Sequence, residues 1–167
     1  MNDRWNLDVI YKGFEDPAFE QDLCLLKEKI AAFNELVKAL PESDSLKSLR
    51  EGIILQEELT VLGGKLAEYA MLRQSADARD SEAGSQIGRV MAVLSTTAGG
   101  EAAFKDWACK LPNLMELIEQ DELLQQYRFL FSNMKKSSKY MLSVQAEEVM
   151  AKLRLSGTSA WSDLQSY

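Results

Sequence analysis

Residues 134–141 form the only basic patch of the chain and are the first candidate for chemistry. The stretch is MKKSSKYM, where Lys135, Lys136 and Lys139 stand beside Tyr140, a combination that could bind phosphate or nucleic acid. Lysines at the end of a helix are also favoured without any ligand, since the helix dipole is negative there. The net charge of −7 favours this second interpretation, because nucleic-acid binding needs a basic surface.

Residues 72–82, with the sequence LRQSADARDSE, combine arginines and carboxylates at a predicted bend. Such a loop could bind a cation, but the spacing and the central glycine of a calcium-binding loop are missing. Helix capping and arginine–aspartate pairs explain the same residues. The sequence therefore favours a structural role for this stretch over a binding loop.

Histidine is absent from all 167 residues, and this excludes most common catalytic arrangements. A Ser-His-Asp or Cys-His nucleophile system needs an imidazole base, and zinc loses its commonest ligand. The two cysteines, Cys24 and Cys109, are predicted to lie on helices as small apolar residues. We expect no catalytic residue, no metal ligand and no bound cofactor in this chain.

The same composition limits the expected location and partners. No positively charged start is followed by the apolar stretch of a secretory signal. No apolar run approaches the roughly 20 residues of a membrane span. With only two cysteines, these features favour a cytoplasmic protein that binds neither nucleic acid nor membranes.

The elements that would position any site begin with an irregular strap at residues 1–16. Its large apolar residues are expected to pack against the helices: Trp5, Leu7, Val9, Ile10, Tyr11 and Phe14. Asp16 followed by Pro17 predicts a helix start, and Pro41 predicts its end after Leu40. The helix carries one apolar stripe with spacings of four and three residues: Phe19, Leu23, Leu26, Ile30, Phe33, Val37 and Leu40.

Further helices are predicted along the rest of the chain. A second long helix, about Leu46 to Gln74, contains Gly63-Gly64, interpreted as close packing or a kink. A third long helix is marked by the stripe Ala83, Ile87, Val90, Met91 and Leu94. It is predicted to end near TTAGG at 96–100, where Gly99-Gly100 predicts a break. The remaining predicted helices span about 101–111, 113–119, 121–133 and 143–155.

These patterns predict an all-α fold, since alternation of period two persists nowhere. We expect a bundle of three or four long antiparallel helices with shorter helices appended. The whole chain, 1–167, is predicted to be one helical domain. It divides into the strap at 1–16, the bundle at 17–155 and a connecting segment at 156–167.

Three blocks of sequence resemble one family of enzymes. They are WNLDVIYKGFEDPAF at 5–19, LAEYAMLRQSADARDSEA at 66–83, and KKSSKYMLSVQAEEVMAKLRLSGTSAWSDL at 135–164. All three are similar to the N-terminal region of oligoendopeptidase F and its relatives among the thimet-oligopeptidase-like zinc metallopeptidases. The blocks occur in the order that this family has.

The resemblance implies a function that depends on another domain. In this family a His-Glu-x-x-His helix with a further glutamate binds zinc in a C-terminal domain, and the motif's glutamate activates water. This chain has no such motif, so none of the family's catalytic residues can be assigned to it. The resemblance implies a helical wall of a channel for short peptides, inactive alone, with the missing catalytic domain as its partner.

A second hypothesis is a free-standing helical module that binds a protein partner without catalysis. Such a domain could also self-associate through the stripe from Phe19 to Leu40, to cover exposed apolar surface. Under the first hypothesis, four residues are candidates for contact with the catalytic domain: Trp161, Leu164, Trp5 and Tyr11. Trp161 is the leading candidate, because it follows the last predicted helix of the bundle.

Overall fold

The structure is a computed structural model that describes residues 6–77 and 79–138, together with Leu153, Gly157, Trp161 and Gln165. Seven α-helices lie within the two continuous ranges: α1 Pro17–Ala39, α2 Ser45–Ala76, α3 Ser81–Leu94, α4 Ala98–Lys110, α5 Leu114–Glu119, α6 Glu122–Gln126 and α7 Arg128–Ser138. Short 3₁₀ turns, Leu40–Glu42 and Ser95–Thr97, follow α1 and α3. The described ranges contain no strand, which confirms the predicted all-α fold.

Helix α1 begins and ends where the sequence predicts. The side chain of Asp16 accepts a hydrogen bond from the amide of Ala18, and Pro17 occupies the first turn, where no amide donor is needed. Of the seven residues in the predicted stripe, only Val37 is not fully buried. The four-three spacing therefore directs one continuous face of α1 into the core.

Ion pairs show that α1 and α2 run antiparallel. Lys65 Nζ lies 2.7 Å from Asp22 Oδ2, and Lys29 Nζ lies 2.6 Å from Glu58 Oε2. Moving forward along α1 from the first pair to the second therefore means moving backward along α2. Helix α3 returns alongside α1, where Arg89 binds the carboxylate of Glu20 through both terminal nitrogens of its guanidinium.

Close contacts between helices explain two of the glycines. A Cβ atom at Gly63 would lie 2.7 Å from Leu94 Cδ2, so the missing side chain lets α2 and α3 approach closely. The predicted close packing at Gly63-Gly64 is confirmed for Gly63, and α2 continues through both residues. A Cβ atom at Gly52 would collide with the ring of Phe104, which brings α4 against α2.

The predicted break between the third and fourth helices exists, but it lies at Ser95–Thr97, just before Gly99-Gly100. Both glycines lie in the first turn of α4, which begins at Ala98 rather than near Glu101. A Cβ atom at Gly100 would collide with the side chain of Asn34 on α1. Glycine is needed there because α1 and α4 are in close contact. A glycine with this role and a glycine that breaks a helix look the same in a sequence.

The predicted helix at 121–133 is wrong, because the region forms two helices. Helix α6 ends at Gln126 and α7 begins at Arg128, with Tyr127 between them. The side chain of Asp121 caps α6 by accepting from the amides of Leu123 and Leu124. The predicted helix at 143–155 lies outside the described residues except for Leu153, which is helical.

Some predicted core residues lie at the surface instead. Met91 on α3 is 44% exposed. Val9 in the strap is 85% exposed, whereas Tyr11 and Phe14 are buried and Leu7 and Ile10 are partly buried. Cys24 is exposed, and Cys109 is partly buried.

Candidate functional site

The strap is fixed to the bundle by a cluster of aromatic rings and charges. Tyr11 is 1% exposed, and its ring meets those of Phe19 and Tyr69 edge to face at 5.3 and 5.0 Å between centroids. Such contacts add to the free energy gained by burying the rings themselves. The prediction that the strap packs against the helices is confirmed for this part of it.

Asp22 is the polar centre of this cluster. Its Oδ2 atom accepts from the Tyr11 hydroxyl at 2.6 Å and from Lys65 Nζ at 2.7 Å, and the same ammonium lies 4.4 Å from the centre of the Tyr11 ring. Partial burial opposes ionisation of Asp22, but the hydrogen bonds from Lys65 and Tyr11 outweigh it and lower the pKa of the carboxyl. Burial and the hydrogen bond to Asp22 raise the pKa of Tyr11.

The stretch at 72–82 has a structural role, as the sequence favours. Asp80 caps α3 by accepting from the amide of Ala83 at 2.9 Å, and Arg73 Nη2 lies 3.3 Å from Asp80 Oδ2. The capping bond, opposed by burial and helped by Arg73, lowers the pKa of Asp80. The guanidinium of Arg73 also lies over the Phe14 ring at 5.4 Å, so this bend supports the strap.

The lysines at 134–141 belong to a helix end over the part that the structure describes. Lys135 and Lys136 lie in the last turn of α7, and Lys135 Nζ donates to the carbonyl of Leu111 at 3.4 Å. This geometry supports the interpretation as a helix terminus. Lys139 and Tyr140 lie outside the described residues.

The four predicted contact residues fall into different environments. Trp161 is helical and 72% exposed, so its ring is available to a partner. Tyr11 lies in the core, where the strap and the helices already surround its ring, so it offers no exposed surface. Trp5 and Leu164 lie outside the described residues. Trp107 on α4 is half-buried beside Phe104, at 5.7 Å between ring centroids.

A groove between α2, α4 and α7 was not foreseen from the sequence. It has a volume of about 450 Å³, and its apolar lining is formed by Ile53, Leu59, Phe104, Leu130, Phe131 and Met134. Its polar lining is formed by Gln56, Thr60, Glu101 and Lys105. Phe104 and Phe131 are almost fully buried and form the floor, whereas Leu130 is 44% exposed at the rim.

No metal centre occurs among the residues that the structure describes. Within 6–77 and 79–138, no three side chains of aspartate, glutamate, cysteine or histidine come together as a possible ion site. In the same ranges, no helix is both long and apolar enough to cross a membrane.

The helices after Lys110 form a unit that packs on α2 and α4. Phe131 of α7 is fully buried, while the rim of the contact is polar. Arg50 Nη1 on α2 lies 2.7 Å from Asp121 Oδ2, and the Tyr127 hydroxyl donates to Glu57 on the same helix. Within the described residues the unit comprises α5, α6 and α7.

A comparison with protein families finds a match over the region that contains these three helices. Residues 112–167 match the family of oligopeptidase F. The match covers about a third of the chain and confirms the predicted resemblance to the N-terminal region of these peptidases. It includes the third resembling block at 135–164, whereas the blocks at 5–19 and 66–83 lie outside it. No curated protein and no solved structure matches the chain.

Proposed function

We propose that this chain serves as the helical N-terminal domain of an oligopeptidase F-like zinc peptidase. In this proposal the domain forms one wall of the channel that admits short peptides and packs against a separate catalytic domain. The observation that carries it is the oligopeptidase F match at 112–167, on helices packed against α2 and α4. Exposed Trp161 lies inside the matched segment and supports the contact with a catalytic domain.

The residues of this chain do not fit the zinc site of such an enzyme. The chain has no histidine, and its two cysteines lie on different helices, Cys24 on α1 and Cys109 on α4. The proposal therefore assigns zinc and all bond-making chemistry to the catalytic domain. This chain contributes shape, excludes folded substrates and works in the cytoplasm.

A peptide-hydrolysis assay tests this division of roles. The purified chain is mixed with an internally quenched peptide of about eight residues and zinc, alone and with a catalytic domain carrying His-Glu-x-x-His from the same genome. We expect no hydrolysis by the chain alone, and binding to the catalytic domain with chelator-sensitive hydrolysis of short peptides. Chelator-sensitive turnover by the chain alone would contradict the proposal, as would the absence of any such domain that binds it.

The second hypothesis, a free-standing interaction module, draws support from apolar side chains at the surface. Val61 and Phe129 are 72% and 77% exposed, so both are accessible to a protein partner. Sedimentation of the purified chain distinguishes the two. A stable dimer that does not dissociate when the catalytic domain is added would favour the independent module.

A further inference from the structure

The groove between α2, α4 and α7 has the size and lining of a small-ligand site. Its volume of about 450 Å³ lies within the range of about 300–1,000 Å³ that such sites occupy. It lies where the family-matched helix α7 meets two helices outside the match. Apolar floors with a few polar groups at the rim select ligands that have one large apolar group and a few charges.

Two opposite charges on the rim are not paired with each other. Glu101 and Lys105 are four residues apart on α4, in the order that favours an ion pair within a helix. Asp106 and Lys110 have the same spacing on the same helix and form a pair at 2.6 Å. Over the described part of the chain, neither Glu101 nor Lys105 forms an ion pair.

The separation of these two charges fits a short peptide. Four residues of helix rise about 6 Å, and two extended residues span about 7 Å. An ammonium and a carboxylate at the two ends of a dipeptide can therefore face Glu101 and Lys105 together. The side-chain amide of Gln56 offers both a donor and an acceptor to the peptide bond between them.

We propose that this groove binds a short peptide with free termini and one large apolar side chain. The side chain lies against Phe104, Leu130 and Met134, the amino terminus faces Glu101 and the carboxyl terminus faces Lys105. This inference deepens the proposed function, on which it rests for the class of ligand. It makes the helical domain a second contact for peptides, independent of the zinc site.

Titration of the ¹⁵N-labelled chain with the dipeptide Ala-Phe tests the proposal. We expect saturable shifts of backbone amides in α4 and α7. Gly-Gly should bind at least tenfold more weakly, because it has no apolar side chain. N-acetyl-Ala-Phe-amide should also bind at least tenfold more weakly, because it has no terminal charges.

Variants locate the site. Glu101→Gln and Lys105→Gln should each weaken binding of Ala-Phe about tenfold, which corresponds to about 1.4 kcal/mol. Asp106→Asn and Lys110→Gln are matched controls on the same helix and should leave binding unchanged. Shifts that map away from the groove would overturn the proposal. Equal binding of the capped peptide, or equal effects of the control variants, would do the same.

The outcome is separate from that of the proposed function. If Lys105→Gln loses binding of Ala-Phe while its NMR spectrum without peptide matches that of the unchanged chain, the groove proposal is supported even if no catalytic domain binds the chain. Absence of saturable binding by Ala-Phe overturns the groove proposal even if a catalytic domain does bind. Because Glu101 is exposed and Lys105 partly exposed on one helix, these substitutions test binding without removing core contacts.

Discussion

The hydroxyl of Tyr11 and the carboxylate of Asp22 are joined by a hydrogen bond of 2.6 Å that connects the strap to the first helix. Lys65 on α2 donates to the same oxygen, so three segments of the chain meet at one atom. The ring of Tyr11 is buried among the helices, and the hydrogen bond of its hydroxyl to Asp22 fixes the position of the ring. Asp22 therefore links the strap to both α1 and α2.

Asp22→Asn should lower the free energy of unfolding by about 1–3 kcal/mol, because the hydrogen bonds from Tyr11 and Lys65 then end on a neutral oxygen instead of a carboxylate. Tyr11→Phe keeps the buried ring and should lower it by about 1 kcal/mol. Urea unfolding followed by circular dichroism measures both. In the double variant the two effects should fall short of their sum, since each alters the same hydrogen bond. Full additivity would contradict the shared contact.

The lowered pKa of Asp22 predicts how stability depends on pH. A carboxyl whose pKa is lower in the folded protein stabilises it above the unfolded value of 3.8, and this contribution is lost as the pH falls through the folded pKa. The free energy of unfolding should therefore decrease below about pH 4. It should decrease less in Asp22→Asn, and urea titrations between about pH 2.5 and pH 6 compare the two. Equal slopes would show that Asp22 does not contribute.

Neighbouring glycines on α2 give a matched test of helix packing. Gly64 has no atom within 4 Å of an added Cβ, so Gly64→Ala should stabilise the protein by about 0.5–1 kcal/mol through helix propensity. Gly63→Ala should stabilise the protein less than Gly64→Ala or destabilise it, because the added methyl meets Leu94 Cδ2 at 2.7 Å. Thermal unfolding measures both. An equal gain at the two sites would contradict the close contact of α2 and α3.

Gly52→Ala should be the most harmful of the glycine-to-alanine substitutions on α2. The added methyl would collide with the buried ring of Phe104, and overpacking of this kind costs about 1–3 kcal/mol. Gly64→Ala, on the same helix, is the control. A neutral Gly52→Ala would show that α4 can move away from α2 without cost.

The sequence predicts the long helices because their signals are local. The stripe from Phe19 to Leu40 and the pair Asp16-Pro17 need no knowledge of the rest of the chain. Gly100 was misread because its reason is a contact with Asn34, far away in sequence. Tyr11 was expected at a domain contact, and its place in the core follows from distant partners, Asp22 and Tyr69.

The groove could not be predicted for the same reason. Its floor combines Ile53, Phe104 and Phe131 from three separate helices. Each of these residues looks like an ordinary core residue in its own segment. Only the convergence of α2, α4 and α7 leaves space between them. The spacing of Glu101 and Lys105 alone predicts an ion pair between them. Only the structure shows that the two side chains are not paired with each other.

Two phenylalanines on α7 test whether the family-matched unit is part of the bundle. Phe131 is fully buried against α2 and α4, and Phe129 is 77% exposed on the same helix. Phe131→Ala should lower the free energy of unfolding by about 3–5 kcal/mol, since it leaves a cavity. Phe129→Ala should change it by no more than about 0.5 kcal/mol. Urea unfolding followed by circular dichroism at 222 nm measures both.

The shape of the same unfolding curve gives a second result. If Phe131→Ala unfolds in two steps, with the α1–α3 helices unaffected, α5 to α7 form a separately unfolding unit. A single transition shifted to lower urea would show that the matched helices and α2 share one cooperative core. Because Phe131 lines the same groove as Ile53 of α2 and Phe104 of α4, we expect the single transition.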